Sequence, residues 1–107
     1  MKRVAKFEKV SLEQFMEGWT DTFGVQQPGV IEQIYDRIRL PKRATAGSAG
    51  YDFFAPAAIV LNPGETVKIP TGIRVWMEPE WVLKCYPRSG LGFKYRLQLN
   101  NTVGIID

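Results

Sequence analysis

Histidine is absent from this chain of 107 residues. Without an imidazole there is no Ser-His or Cys-His nucleophile pair and no His-ligated metal. Nor is there a side chain whose ordinary pKa lies near neutrality. Cysteine is nearly absent as well, with Cys85 standing alone. One thiol cannot close an internal disulfide, which agrees with a reducing compartment. No apolar run reaches the ~18 residues of a membrane-spanning helix, so no membrane partner is expected. Met1–Val10 is charged and carries no apolar h-region, so no secretory signal is expected and a cytoplasmic location is. There is no internal repeat and no low-complexity tract. A dense Lys/Arg patch is missing too. Fourteen Lys+Arg against eleven Asp+Glu give a net charge of +3. That balance suits attraction of a small polyanion better than a nucleic-acid polymer. The chemistry left open is that of carboxylates, hydroxyls, backbone amides, arginine and a borrowed metal.

What is present describes one small globular domain, 45% apolar and 23% charged. Composition changes near Pro28-Gly29. Before it, Leu12, Phe15, Met16, Trp19 and Phe23 recur at three- and four-residue spacing and predict an amphipathic helix over 12–23. Ser11 with Gln14 three residues on makes a capping box, and Gly24 suits the stop. Gly18 inside the helix costs about 1 kcal/mol relative to alanine. The apolar stripe predicts packing against the domain or a neighbouring subunit. A second short helical turn is expected at Val30–Tyr35.

After the change, the sequence alternates in short stretches broken by Gly, Pro and Asn. Ile38–Leu40, Tyr51–Phe54, Ile59–Leu61, Thr66–Ile69, Ile73–Met77, Trp81–Tyr86, Leu97–Leu99 and Val103–Ile106 all predict short strands. Asn62-Pro63-Gly64-Glu65 and Glu78-Pro79-Glu80 predict turns. Strands at this spacing point to an all-β sandwich, barrel or jelly roll. Short strands of this kind leave a sheet edge that a partner subunit or further chain would cover.

Three segments hold candidate chemistry. Ala44–Gly50 is a run of small residues leading into Tyr51-Asp52. It reads either as a surface loop or as backbone that approaches a ligand closely with Asp52 at a strand edge. Pro87-Arg88-Ser89-Gly90-Leu91-Gly92 joins a guanidinium fork, a hydroxyl and a glycine able to form an anion nest. It reads either as a phosphate loop or as a hairpin turn, and lacks the Walker spacing. Asn100-Asn101-Thr102 enters the strand Val103-Gly104-Ile105-Ile106-Asp107. Gly104 leaves room for a flat ligand to reach backbone N–H and C=O groups, with Asp107 as a general base; otherwise Gly104 is a bulge and Asp107 a solvated strand end.

Taken in order, the three segments resemble signatures of the trimeric dUTPase family. Ser48-Ala49-Gly50-Tyr51-Asp52-Phe53 is similar to the first, with Phe53 where leucine is usual. Pro87–Gly92 is similar to the second and Asn101–Asp107 to the opening of the third. The resemblance covers residues 36–107 and leaves 1–35 as an N-terminal extension containing the helix. It implies a distorted β jelly roll (the β-clip form), incomplete at its C-terminus. It further implies a homotrimer with active sites shared between subunits, and hydrolysis of dUTP to dUMP and pyrophosphate with Mg²⁺.

By resemblance, Arg88, Ser89 and the Gly90 amide hold the triphosphate. Ser89 also serves the oxygen leaving the α-phosphorus. Asn101 and the backbone of Gly104, Ile105 and Ile106 read the uracil edge and deoxyribose. Asp107 orients and deprotonates the attacking water. Asp52 pairs with Arg88 or with Mg²⁺-bound waters, the Mg²⁺ riding on substrate phosphates rather than on protein ligands. The chain ends at Asp107, ahead of the family's sugar-stacking tyrosine and its fourth and fifth signatures. The expectation is therefore a piece of a longer, bacterial or phage-encoded protein, or a shortened variant with little activity of its own. Two other readings share the fold. A dCTP deaminase would carry a second serine where Gly90 stands. A non-catalytic nucleotide-binding or interaction module would use Trp19 and Phe23 as its partner surface.

Overall fold

A computed structural model describes residues 3–88, 99 and 104–106. The described elements are β1 (Ala5–Lys9), α1 (Leu12–Phe23), α2 (Val30–Asp36), β2 (Ile73–Met77), β3 (Leu83–Cys85) and β4 (Gly104–Ile106). The strands form two small sheets, β1 with β2 and β3 with β4. The chain divides into two compact units, Phe7–Trp76 and a second made of Met1–Lys6 with Met77–Asp107.

In the Phe7–Trp76 unit, α1 forms where the apolar spacing predicts it. The side chain of the N-cap residue Ser11 accepts a hydrogen bond from the Gln14 amide at 3.1 Å. Gly24 closes the helix at φ 82°, its amide donating to the Thr20 carbonyl at 2.8 Å. The second helical turn is a helix, α2, one residue longer than expected and entered through Gly29 at φ 86°. Phe15 and Trp19 are buried and build the core with Val10, Ile31 and Ile38. Phe23, Ile34, Tyr35, Ala57 and Ile73 pack around them. The aromatic rings run as a column, Tyr35 to Phe15 at 5.8 Å, Phe15 to Trp19 at 5.6 Å and Trp19 to Phe23 at 4.5 Å. A column of this kind combines large area burial with ring–ring attraction.

Tyr35 also ties α2 to β1. Its hydroxyl donates to the Val10 carbonyl at 2.7 Å, and Lys9 Nζ donates to the Tyr35 carbonyl at 2.9 Å. At the other side of the core, the chain turns at Gly72 with φ 74°, and the Gly72 carbonyl accepts from the Val10 amide at 2.9 Å. A Cβ at Gly72 would lie 2.5 Å from Ile38 Cδ1 and 3.1 Å from Phe15 Cδ1. Only glycine fits this place, on both conformation and space.

Several expected strands are not strands. Among the described residues, Ile38–Leu40, Tyr51–Phe54, Ile59–Leu61 and Thr66–Ile69 form no ladder beyond one antiparallel bridge, Lys42 with Asp52. In Thr66–Ile69 burial still alternates: Val67 and Ile69 are half-buried while Thr66 and Lys68 are exposed. Alternation requires only a half-buried face, whereas a strand requires a paired neighbour. Pro56, Pro63 and Pro70 withdraw amide donors along this stretch. Both predicted turns are present. Glu65 N donates to Asn62 O at 3.0 Å with Gly64 at φ 82°, and Trp81 N donates to Glu78 O at 3.1 Å. In the opposite direction, β1 (Ala5–Lys9) is a strand that the sequence reading does not include, although Ala5-Lys6-Phe7-Glu8 alternates apolar with polar residues.

In the second unit, β3 and β4 pair antiparallel with Leu83 opposite Ile106, Lys84 opposite Ile105 and Cys85 opposite Gly104. These strands fall within the expected Trp81–Tyr86 and Val103–Ile106. Leu99 is described outside any strand, and the remainder of the Leu97–Leu99 expectation lies outside the described residues.

Candidate functional site

The first signature lies in the Phe7–Trp76 unit. Asp52 N donates to Lys42 O at 2.8 Å and Lys42 N to Asp52 O at 3.2 Å, so both backbone groups of Asp52 are held on one edge by a single partner. Asp52 is half-buried. Between the two bridge partners the small-residue loop is organised by its own hydroxyls. Ser48 Oγ accepts from the Thr45 amide at 3.1 Å and meets Thr45 Oγ1 at 2.9 Å, while Ser48 N donates to Thr45 O at 3.1 Å. Serine and threonine side chains commonly close turns in this way. The loop reading and the strand-edge reading therefore both describe part of it: a turn at Thr45–Ser48, then Asp52 in the bridge. Tyr51 and Phe53 are each within 5.4 Å of the Phe7 ring, centroid to centroid, and Arg43 lies 5.3 Å over Tyr51. Phe7 was not singled out from the sequence. The five-residue alternation around it was the available signal.

The other two signatures lie in the second unit. Arg88 is exposed three residues beyond Cys85, the last residue of β3. Gly104, Ile105 and Ile106 are β4 itself. Because Gly104 is the register partner of Cys85, the chain leaves β3 toward Pro87-Arg88 at the Gly104 end of the ladder. At ~3.4 Å per extended residue, Arg88 follows that row by about 10 Å of chain. The ladder thus has the glycine of the third signature at the end from which the chain runs on toward the second. A Cβ at Gly104 would be 3.4 Å from Cys85 Cβ, so the glycine face is close-packed on that side. Ser89, Gly90, Asn101 and Asp107 lie outside the described residues.

A guanidinium beside a glycine-bearing strand can hold phosphate oxygens bidentately while backbone groups read a flat ring. Among the described residues, no three His, Cys, Asp or Glu side chains stand close enough together to hold a metal ion. A donor set of one carboxylate, Asp52, is suited to the water shell of a phosphate-bound Mg²⁺, a cation that keeps several waters.

The helix surface expected to serve an interaction module is not available as one. Trp19 is 5% exposed and Phe23 is half-buried, both stacked within the core of their own chain. The stripe is packing surface within the domain.

Comparison with known proteins agrees with the signatures. The dUTPase family profile matches residues 36–107. A deoxyuridine 5'-triphosphate nucleotidohydrolase of Psychromonas ingrahamii is 49% identical over 78 residues, covering 70% of this chain and 52% of the relative. One from Tolumonas auensis is 47% identical over 78 residues, with the same coverage of 70% and 52%. One from Bordetella pertussis is 46% identical over 74 residues, covering 66% of this chain and 50% of the relative. The chain spans about half the length of the curated relatives it matches. No solved structure matches it significantly. With the family profile spanning most of its length and all three signatures in order, the chain belongs to the dUTPase family.

Proposed function

We propose that the protein hydrolyses dUTP to dUMP and pyrophosphate by attack of water on the α-phosphorus. One observation carries this reading: the stretch that matches the family contains all three signatures in order. The β3–β4 register agrees with it, in that the chain leaves β3 toward Arg88 at the Gly104 end of the ladder.

The division of labour follows from the residue types. Arg88, with Ser89 and the Gly90 amide, binds the phosphate oxygens, and Ser89 donates toward the oxygen that leaves the α-phosphorus, where charge develops. Asn101 and the backbone of Gly104 to Ile106 pair with the uracil edge. A cytosine there would leave buried polar groups unpaired, which is the source of discrimination. Asp107 orients the water and takes its proton. Asp52 addresses the water shell of Mg²⁺ held on the substrate phosphates. When bound, Mg²⁺ neutralises charge on those phosphates. Phosphoryl transfer depends chiefly on positioning and charge neutralisation, so a protein without histidine is equipped for it.

The wider reading is a jelly-roll β domain over 36–107 with 1–35 as an extension, assembled as a homotrimer in the cytoplasm. Exposed Trp81, Val82, Tyr86 and Ile105 in the site-bearing unit support a covering partner subunit. No described helix is long and apolar enough to cross a membrane.

The test is pyrophosphate release from dUTP, with dCTP, dTTP and UTP as controls, by the wild-type protein and by Arg88→Ala. Loss of a charge-assisted contact worth about 1.5–3 kcal/mol lowers kcat/KM roughly 10- to 150-fold. Arg88 is exposed, so the melting temperature is expected to stay within a degree or two. Ammonia release from dCTP would replace this reading with the deaminase. Tight dUMP binding without turnover would replace it with a non-catalytic module.

A further inference from the structure

We propose that Phe7 is a positioning residue for Asp52, and through it for the triphosphate end of the substrate. The inference rests on the reading of Asp52 given under Proposed function.

Phe7 belongs to β1, ahead of residue 36, where the family match begins. Its ring touches both neighbours of Asp52. The Tyr51 ring is 5.4 Å away at 56°, and the Phe53 ring is 5.4 Å away at 89°, an edge-to-face pair. In extended backbone, alternate side chains project to opposite faces. Tyr51 and Phe53 therefore share one face, and Asp52 takes the other. Burial follows the same alternation: Tyr51 is 47% exposed and Phe53 41% exposed, while Asp52 is half-buried. Phe7 is thus a wedge behind the segment, and the Lys42 bridge fixes its backbone edge.

The bridge holds the segment along one backbone edge, which leaves its rotation to side-chain contacts. A ring that contacts both Tyr51 and Phe53 fixes the rotation of the segment about its own axis, and that rotation decides where the Asp52 carboxylate sits. Phosphoryl chemistry is sensitive to such placement, because a misplacement near 1 Å costs on the order of 100-fold. Phe53 supplies an edge-to-face partner for Phe7. The aromatic at 53 and the ring at 7 form one device, built partly from chain outside the family match.

The experiment uses the full natural chain with Mg²⁺ present. It measures binding of dUMP and of α,β-imido-dUTP by calorimetry, dUTP turnover, and thermal melting. The variants are Phe7→Ala, Phe7→Leu, Phe7→Tyr, Asp52→Asn and the double variant Phe7→Ala/Asp52→Asn. In Phe7→Ala, α,β-imido-dUTP binding is expected to weaken about tenfold while dUMP binding stays within twofold. Asp52→Asn shows the same split, and the double variant is no weaker than Asp52→Asn, because Phe7 acts through Asp52. Phe7→Tyr keeps the ring and restores wild-type affinity. Phe7→Leu keeps the apolar packing without the ring and gives the same split if Phe7→Ala fails to fold. Equal weakening of both ligands, no weakening of either, or additive losses in the double variant would overturn the inference alone. A wild-type protein that neither binds nor hydrolyses dUTP overturns the functional reading and this inference together.

Discussion

The two units of the molecule solve different problems. Among the described residues, the buried core lies in Phe7–Trp76, where Val10, Phe15, Trp19, Ile31 and Ile38 meet. Among the described residues of the other unit, none is buried, and Trp81, Val82, Tyr86, Ile105 and Ile106 are all exposed. Yet that second unit carries Arg88 and Gly104–Ile106, two of the three signatures. Apolar burial and ring stacking stabilise one unit, while the described part of the other is a short ladder with exposed apolar side chains. A substitution among the buried core residues of the first unit should therefore act on stability, and one at Arg88 in the second on ligand binding.

The sharpest way to break the contrast is Gly72→Ala, in the core unit and remote in sequence from all three signatures. The new Cβ would stand 2.5 Å from Ile38 Cδ1, with Phe15 ring carbons at 3.1 and 3.3 Å. Both neighbours are core residues with little freedom to move. Overpacking of this kind costs ~1–3 kcal/mol, and a non-glycine residue at positive φ adds ~1–2 kcal/mol. A loss of about 3 kcal/mol or more in chemical denaturation is expected. A loss below about 1 kcal/mol would mean that the Ile38–Phe15 contact is not the centre of stability. Arg88→Ala is the mirror experiment, with a large effect on kcat/KM and almost none on melting.

The helical half was legible because each of its signals is local. Ser11, Gln14, the 3.6-residue stripe and Gly24 all lie within one helix length, and α1 has the boundaries they predict. The β half was legible in pattern but not in pairing. Thr66–Ile69 alternates in burial without a ladder, because pairing depends on a distant partner that no local pattern specifies. Phe7 was missed for the same reason: its importance arises from Tyr51 and Phe53, more than forty residues away. The signature residues were recognisable as a set, whereas each alone was open to a turn or bulge reading. Asp52 shows why, since nothing in its own segment marks the backbone bridge to Lys42.

A smaller effect of opposite sign is expected at Gly18→Ala. The sequence marks Gly18 as a weak point of α1. In the structure a Cβ there would meet Pro70 Cβ and Cγ at 3.5 Å, an ordinary van der Waals contact. The helix penalty of glycine is removed without a clash, so stability should rise by roughly 0.5–1 kcal/mol. Because α1 is remote in sequence from Arg88 and Gly104, turnover should be unchanged. A gain in stability that also altered turnover would show the two units to be energetically coupled.

The smallest effect concerns the charged pair between β1 and β2. Arg74 donates from Nη2 to Glu8 Oε2 at 2.8 Å and from Nε to the same oxygen at 3.3 Å. The geometry is good, but the side chains are 66% and 36% exposed. Water and salt screen such a pair, and holding two long side chains costs entropy, so its worth is below about 0.5 kcal/mol. Glu8→Gln should shift the denaturation midpoint barely, and the difference from wild type should vanish in ~1 M salt. A shift above about 1 kcal/mol would move part of the stability of the Phe7–Trp76 unit from its aromatic core to its surface. The same salt series on wild type would then show a loss comparable to that of the variant, which a core built from Phe15 and Trp19 does not predict.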